Sequence, residues 1–317
     1  MSGPGPVGLL VNPTAGRGAG FAAGARVRAE LRRLGHAVTD LSGPDLPAAR
    51  RAARQVAGEA QALVVVGGDG LVHAAVQEVA GTGTALGIVP AGTGNDVARG
   101  LHLPLGDPVA SVAALSDALR TGRRRAVDAV RVRSAEGQRW YASILASGLD
   151  ALVNERANSW PWPRGPARYT LATLRELATA RGVGLRLELD GRVVHRRVLL
   201  AAVANTRCYG GGLAVAPHAD PADGLLDVVV VDELSALPAL HLFTRLRGGR
   251  HLGSAAVHVH RARHVRLEAV EAPGGPGGPG GRAVRRARTP RPHADGEPVG
   301  RLPLTCEAVP GALHVLA

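Results

Sequence analysis

Asp69 is the last residue but one of the run ALVVVGGDG at residues 62–70, a carboxylate set among three glycines between an apolar stretch and a helical pattern. Glycine lets backbone N–H groups approach an anion closely, and the free N–H groups of the helix that follows point the same way. A carboxylate beside phosphate repels it unless a divalent cation lies between them. Asp69 with Gly67, Gly68 and Gly70 therefore suggests a metal-dependent nucleotide site. Two more turns have the same character. NPTAGRGAG brings Asn12, Pro13, Gly16 and Arg17, and PAGTGNDVARGL brings Gly92, Thr93, Asn95 and Asp96, the last two placed as natural helix caps. A tight turn or a cap accounts for any one of the three, but less well for all of them together. Neither the dinucleotide fingerprint nor the Walker motif is met, and no lysine lies near these turns.

The elements that must position these residues are legible around them. Val7–Val11, His36–Leu41, Ala62–Gly67 and Ala85–Pro90 read as strands, separated by helical stretches near 21–34, 47–57 and 72–79. Such alternation argues a parallel sheet covered on both faces, with turns 1, 3 and 4 opening at its carboxyl edge, where open α/β sheets bind ligands. Beyond a helix at 108–120 the pattern changes to period two. AVDAVRVR, WYASILASGLDALV, GLRLELDG, RVVHRRVLLAAVAN, LLDVVVVDEL and HVRLEAVEA read as strands, with helical intervals near 167–180 and 237–246. The expected fold class is α/β: an N-terminal parallel α/β nucleotide-binding domain followed by a C-terminal, largely antiparallel β-rich domain. The division falls at 1–130 and 131–305, leaving 306–317 as a tail.

Within the second part, Asp220, Asp223 and Asp227 around Gly224 could offer oxygens to Mg²⁺, although a turn between strands explains the same letters. His73, His258 and His260 lack zinc-ligand spacing. Asp295-Gly296-Glu297 reads as a tight turn that would supply two carboxylates if it faced the phosphate edge. The segment NSWPWPRGPARYT reads as a packed apolar loop, or as the lip of an apolar groove or a membrane contact, and PGGPGGPGG at 273–281 with the arginines after it as a solvated excursion.

With 317 residues, 45% apolar but only 3% aromatic, the chain can build two cores mainly from Leu, Val and Ala. Its formal charge of +12 admits nucleic acid, anionic membrane or polyphosphate partners, yet no aromatic residues interleave the arginines as a stacking platform requires. Nucleic acid is set aside. Cys208 and Cys306 form no disulfide framework, the start MSGPGPVGLLVNP is no signal peptide, and no run of 18 apolar residues occurs. A cytoplasmic location is expected, with any membrane met from the side. Glycine N–H groups for a donor's phosphates, Asp69 for a cation and a further carboxylate for an acceptor hydroxyl describe phosphoryl transfer. An NAD kinase and a nucleotide-binding regulatory module without an acceptor base are the rivals.

In this order NPTAGRG, GGDG, PAGTGNDVARGL, SGLDALV, DGLLD and DGE resemble the lipid kinase family of bacterial diacylglycerol kinases and sphingosine kinases, across nearly the whole chain. GGDG alone is shared with NAD kinases. The resemblance implies ATP bound between two domains and Mg²⁺, with Asp69 at the nucleotide–metal site, Asp295 as base and Glu297 among the nucleotide-binding residues. It also implies a second Mg²⁺ position served by Asp223 or Asp227. Diacylglycerol is the expected acceptor and a long-chain base the runner-up, reached through transient contact with the anionic inner face of the membrane; a homodimer is left open. Two departures stand out, since the family usually has Thr and Glu where this chain has Leu71 and Ala74.

Overall fold

The computed structural model describes residues 5–149, 182–270 and 291–317, with positions 152, 153, 156, 159, 160, 171–173, 175 and 176 between them. Most of the Trp160–Trp162 loop and of the helical interval at 167–180 lies outside the described residues, as do 273–281 and the arginines up to 290.

Strands β1 (Val7–Val11), β2 (Val38–Asp40), β3 (Ala62–Gly67) and β4 (Ala85–Pro90) form a parallel sheet in the order β2-β1-β3-β4. Every residue of β3 is buried, because helices cover both its faces. On one face α2 (Leu46–Val56) and α3 (Asp69–Val79) pack Ala53, Val72 and Val76 against Leu63, Val65 and Leu86. On the other, α1 (Ala19–Arg33) and, past the short helix α4 (Asp96–Gly100), α5 (Pro108–Thr121) pack Val27, Leu31 and Leu115 against Leu9, Val64 and Val66. This explains a run that is apolar without alternation. Each fully buried Val or Leu is worth roughly 1.5–3 kcal/mol, so β3 fixes the carboxyl edge firmly.

The rest is antiparallel and β-rich. Strand β5 (Arg124–Ser134) pairs with β6 (Gly137–Tyr141), and β7 (Ile144–Gly148), β8 (Val183–Leu189) and β9 (Arg192–Ala204) follow. Next come β10 (Leu226–Asp232), helix α6 (Ala236–Arg245), β11 (Val257–Ala262), β12 (His264–Ala269), and the two-residue strands β13 (His293–Ala294) and β14 (Glu297–Pro298). The last strand, β15 (Leu304–Leu316), pairs along β5 and β12, and its Val315 lies in parallel register with Leu86 of β4. One continuous sheet therefore runs through both halves.

The stretch WYASILASGLDALV departs from the expected single strand. It breaks at Ala142 and Ser143 and ends at Gly148, with Leu149 already helical. The break has a physical reason: the N–H groups of residues 142 and 143 bond to the Asp295 side chain rather than to a neighbouring strand.

Candidate active site

The three glycine-rich turns meet at the carboxyl edge of β1, β3 and β4. A Cβ on Gly16, whose φ is +58°, would fall 2.5 Å from the Ala91 carbonyl oxygen; one on Gly92 would fall 2.5 Å from the Gly68 Cα. Any side chain there would push the turns apart, so glycine is required by close approach and, at residue 16, also by the left-handed backbone. Asn12 reaches this edge through its N–H, which donates to the Val66 carbonyl (2.9 Å), while its Oδ1 accepts from the Thr14 hydroxyl and N–H. Asn12, Pro13, Gly16 and Thr93 are exposed, open to a ligand on the solvent side. Arg17 lies in the short helix Ala15–Gly18.

Asn95 precedes α4 in the left-handed region (φ +53°), yet its side chain does not cap that helix. It turns back, with Oδ1 accepting from the Gly92 N–H and Nδ2 donating to the Gly92 carbonyl, both at 2.9 Å. Asp69 accepts from the Val97 N–H (3.4 Å), and Asp96 accepts from the Gly211 N–H (2.9 Å) across the seam between the two halves. Burial raises the Asp69 carboxyl above its ordinary range, and the charge of Asp295 adds to this against opposing backbone N–H bonds. Asp96 is pushed up to about 6, first by burial and then by Asp69. These are crowded, partly desolvated hard-oxygen donors.

Asp295 and Glu297 arrive on the turn between β13 and β14. Asp295 has φ +51° and a side chain without exposed area; its Oδ1 accepts from the Ser143 N–H (2.9 Å) and its Oδ2 from the Ala142 N–H (3.0 Å), with His73 Nδ1 of α3 at 3.3 Å from Oδ2. Glu297 is half-buried, and its Oε1 lies 3.1 Å from where a Gly70 Cβ would sit. The late turn therefore faces the GGDG turn. Leu71 lays its side chain over Gly67 and packs on the core of the first half, and Ala74 is buried, so both departures place apolar groups there.

Asp223 and Asp227 lie elsewhere in the geometry, sharing Arg261: Asp223 pairs with its Nη2, and Asp227 Oδ2 is 4.0 Å from its Nε. Burial raises the Asp227 carboxyl while Arg261 opposes the rise. The turn they flank is held by buried Asp128, which accepts from the Gly224 (2.7 Å) and Gly311 (3.0 Å) N–H groups. Asp128 and His73 escape a motif reading; the signal for Asp128 is a lone carboxylate inside the apolar strand pattern AVDAVRV. Among the described residues no group of three His, Cys, Asp or Glu could hold a metal ion.

A second concavity lies beyond the Asn205–Gly212 loop. It is small, about 60 Å³, and Leu199, Leu200, Tyr209, Leu242, Phe243 and Leu246 are among its lining residues. Tyr209 lines it two residues before Gly211, which bonds Asp96, so one loop touches both the carboxylate edge and the apolar space.

A parallel α/β half whose glycine turns converge, joined to a β-rich half that delivers a carboxylate to them, is the architecture of a nucleotide-using kinase. The chain belongs to the diacylglycerol kinase catalytic domain family, which it matches over residues 6–132, and residues 143–317 match the YegS C-terminal NAD kinase beta sandwich-like domain. It is 39% identical over 315 residues to a diacylglycerol kinase of Mycobacterium tuberculosis, covering 98% of this chain and 95% of that one. In fold it resembles the crystal structure of a diacylglycerol kinase from Bacillus anthracis (TM-score 0.68, 17% identity, 98% and 96% covered). It also resembles an NAD kinase from Archaeoglobus fulgidus in complex with ATP (TM-score 0.54, 15% identity, 98% and 93% covered).

Proposed function

We propose that the protein transfers the γ-phosphoryl group of ATP to the hydroxyl of a lipid alcohol, with diacylglycerol the acceptor and phosphatidic acid the product. The observation that carries this reading is the buried Asp295 carboxylate, fixed by two backbone N–H groups opposite the converging glycine turns. The apolar space beside Tyr209 favours a lipid over NAD, whose ribose and phosphates gain nothing from Leu and Phe walls.

In this reading Asn12, Pro13, Gly16, Arg17, Gly67, Gly68, Gly70, Gly92, Thr93, Asn95, Asp96 and Glu297 surround the nucleotide. Asp69 would hold Mg²⁺ together with the phosphates; bound there, the ion neutralises charge as it shifts between oxygens. Asp223 and Asp227 are proposed for a second, structural ion, in competition with Arg261. Asp295 takes the proton of the acceptor hydroxyl as the new O–Pγ bond forms and the bond to the β-phosphate oxygen breaks, releasing ADP. Among the described residues Oδ1 has one protein partner, which leaves a lone-pair direction for that hydroxyl. Because the side chain has no exposed area, access requires the late turn and α3 to part. Glu297 is a second assignment for the base, favoured by its more open carboxylate beside Gly70. The boundaries proposed are a nucleotide-binding unit over 1–130 and a lipid-binding unit over 131–305, with 306–317 returning to the first. Entry of an acyl chain requires the protein to rest against an anionic membrane surface; no helix among the described residues is long and apolar enough to cross one.

The test is transfer of labelled γ-phosphate from ATP, with Mg²⁺, to diacylglycerol or sphingosine in mixed micelles and to NAD in solution. Labelled phosphatidic acid is expected. Labelled NADP, or no product from a protein that binds ATP, would refute the lipid kinase reading.

A further inference from the structure

We infer that His73 is a positioning residue for Asp295, held by Gln77 as the neutral tautomer that carries its proton on Nδ1 and donates it to the Asp295 carboxylate. The importance of that bond for turnover rests on the proposed role of Asp295; the tautomer does not.

The orientation of the Gln77 amide settles the direction of the chain of bonds. The Trp140 backbone N–H can only donate, so the Gln77 atom 2.9 Å from it is Oε1; the Trp140 carbonyl can only accept, so the atom 2.6 Å from it is the amide nitrogen. The NH₂ end therefore faces His73, with its second hydrogen shared between the His73 carbonyl and Nε2, both at 3.3 Å. A donor facing Nε2 makes that nitrogen the acceptor, and a neutral imidazole with an acceptor Nε2 carries its proton on Nδ1. Nδ1 is the atom 3.3 Å from Asp295 Oδ2. An imidazolium would set its Nε2–H against the Gln77 NH₂ group beside the buried ring.

The consequence is geometric. Oδ2 takes the Ala142 N–H and His73, and Oδ1 takes the Ser143 N–H, so three donors from two halves of the molecule fix the carboxylate plane. Asp69 and His73 are four residues apart on α3 and so share one face of that helix. The bond to His73 thus sets Asp295 in register with the carboxylate proposed to hold the cation.

The ring state is read from long-range proton–nitrogen NMR spectra of the full chain labelled with ¹⁵N-histidine, with His73 assigned by the signal missing in His73→Asn. The pattern of a neutral ring protonated on Nδ1 is expected at pH 7; the Nε2–H tautomer or an imidazolium would overturn the inference. Gln77→Glu keeps the acceptor for the Trp140 N–H but presents a carboxylate to Nε2, and is expected to convert the ring to imidazolium at pH 7. An unchanged ring would remove Gln77 from its role. In kinetics, His73→Asn places an amide nitrogen where Nδ1 stands and is expected to keep kcat within about threefold. His73→Leu is expected to lose about tenfold or more in kcat, the scale of a hydrogen bond to a charged group, with KM for ATP within about twofold. Equal losses in two folded variants, or none in His73→Leu, would remove the positioning role. If no acceptor is phosphorylated, the proposed reaction fails while the NMR result still decides the tautomer.

Discussion

Replacing Asp96 by Asn should make the protein progressively more stable than wild type as pH rises from 5 to 8. The Asp96 carboxyl stands at about 6 in the fold against an ordinary 3.8, because burial and the neighbouring Asp69 disfavour its charge. A raised carboxyl contributes stability that is fully present below its unfolded value and is lost as pH rises through its folded value. The whole rise corresponds to roughly 3 kcal/mol, of which about 1.4 kcal/mol falls between pH 5 and 8. Asparagine carries no charge to desolvate, and its Oδ1 can still accept from the Gly211 N–H that Asp96 now engages at 2.9 Å. Removing the charge also relieves Asp69, which acts in the same direction. The assay is urea denaturation of both proteins at each pH, with a chelator present so that no cation masks the repulsion. The stability difference should widen by about 1.4 kcal/mol in favour of the variant. A flat difference, or one that narrows, would show that its surroundings do not raise the Asp96 carboxyl.

Asp69→Asn should abolish Mg²⁺-dependent turnover while leaving the circular dichroism spectrum and melting cooperativity intact; unchanged turnover would end the proposed metal role. Asp295→Asn should retain ATP binding and lose roughly 10²-fold or more in kcat, the scale of a general base. If Glu297→Gln shows that loss and Asp295→Asn does not, the base is Glu297. Gly92→Ala sets a Cβ 2.5 Å from the Gly68 Cα and should cost about 1–3 kcal/mol of stability and weaken ATP binding, read by denaturation and titration. Normal ATP affinity would separate that turn from the nucleotide. Asp128→Ala leaves the Gly224 and Gly311 N–H groups without their acceptor and should cost at least about 2 kcal/mol by denaturation. A smaller loss would mean water replaces the carboxylate readily.

Much of the first half is legible because its signals are local. The unbroken apolar run of β3 announces burial on both faces, and each glycine turn follows its strand within a few residues, so element and motif are read together. Even there a side chain can choose a partner that pattern does not reveal. Asn95 has the residue type and place of a helix cap, but the left-handed backbone turns its amide onto Gly92. The second half is harder, since period-two alternation identifies strands without their register or neighbours. Ala142 and Ser143 look like strand interior, and only the arrival of Asp295, some 150 positions later, explains why the strand breaks there. Asp223 and Asp227 have a metal-like spacing, yet the charge beside them comes from Arg261 on β11, paired through the register Asp227 to Arg261.

This division between local and distant signals follows the division of labour in the site. Except for Glu297, the groups proposed for the phosphoryl donor sit on three turns of one sheet edge, so strand order alone brings them together. Other bonds cross from one half to the other: Gly211 to Asp96 ties the donor edge to the second half, while His73 to Asp295, and Gln77 to the Trp140 backbone, set the proposed base. A Cβ on Gly100 would meet Thr206 at 2.6 Å, so the end of α4 also docks tightly on the second half. These contacts place the reacting carboxylates at a seam rather than within either half. A substitution that loosens the seam, such as Gln77→Ala, should therefore slow phosphoryl transfer more than it weakens ATP binding. Equal losses in both would mean that the donor edge also depends on the seam.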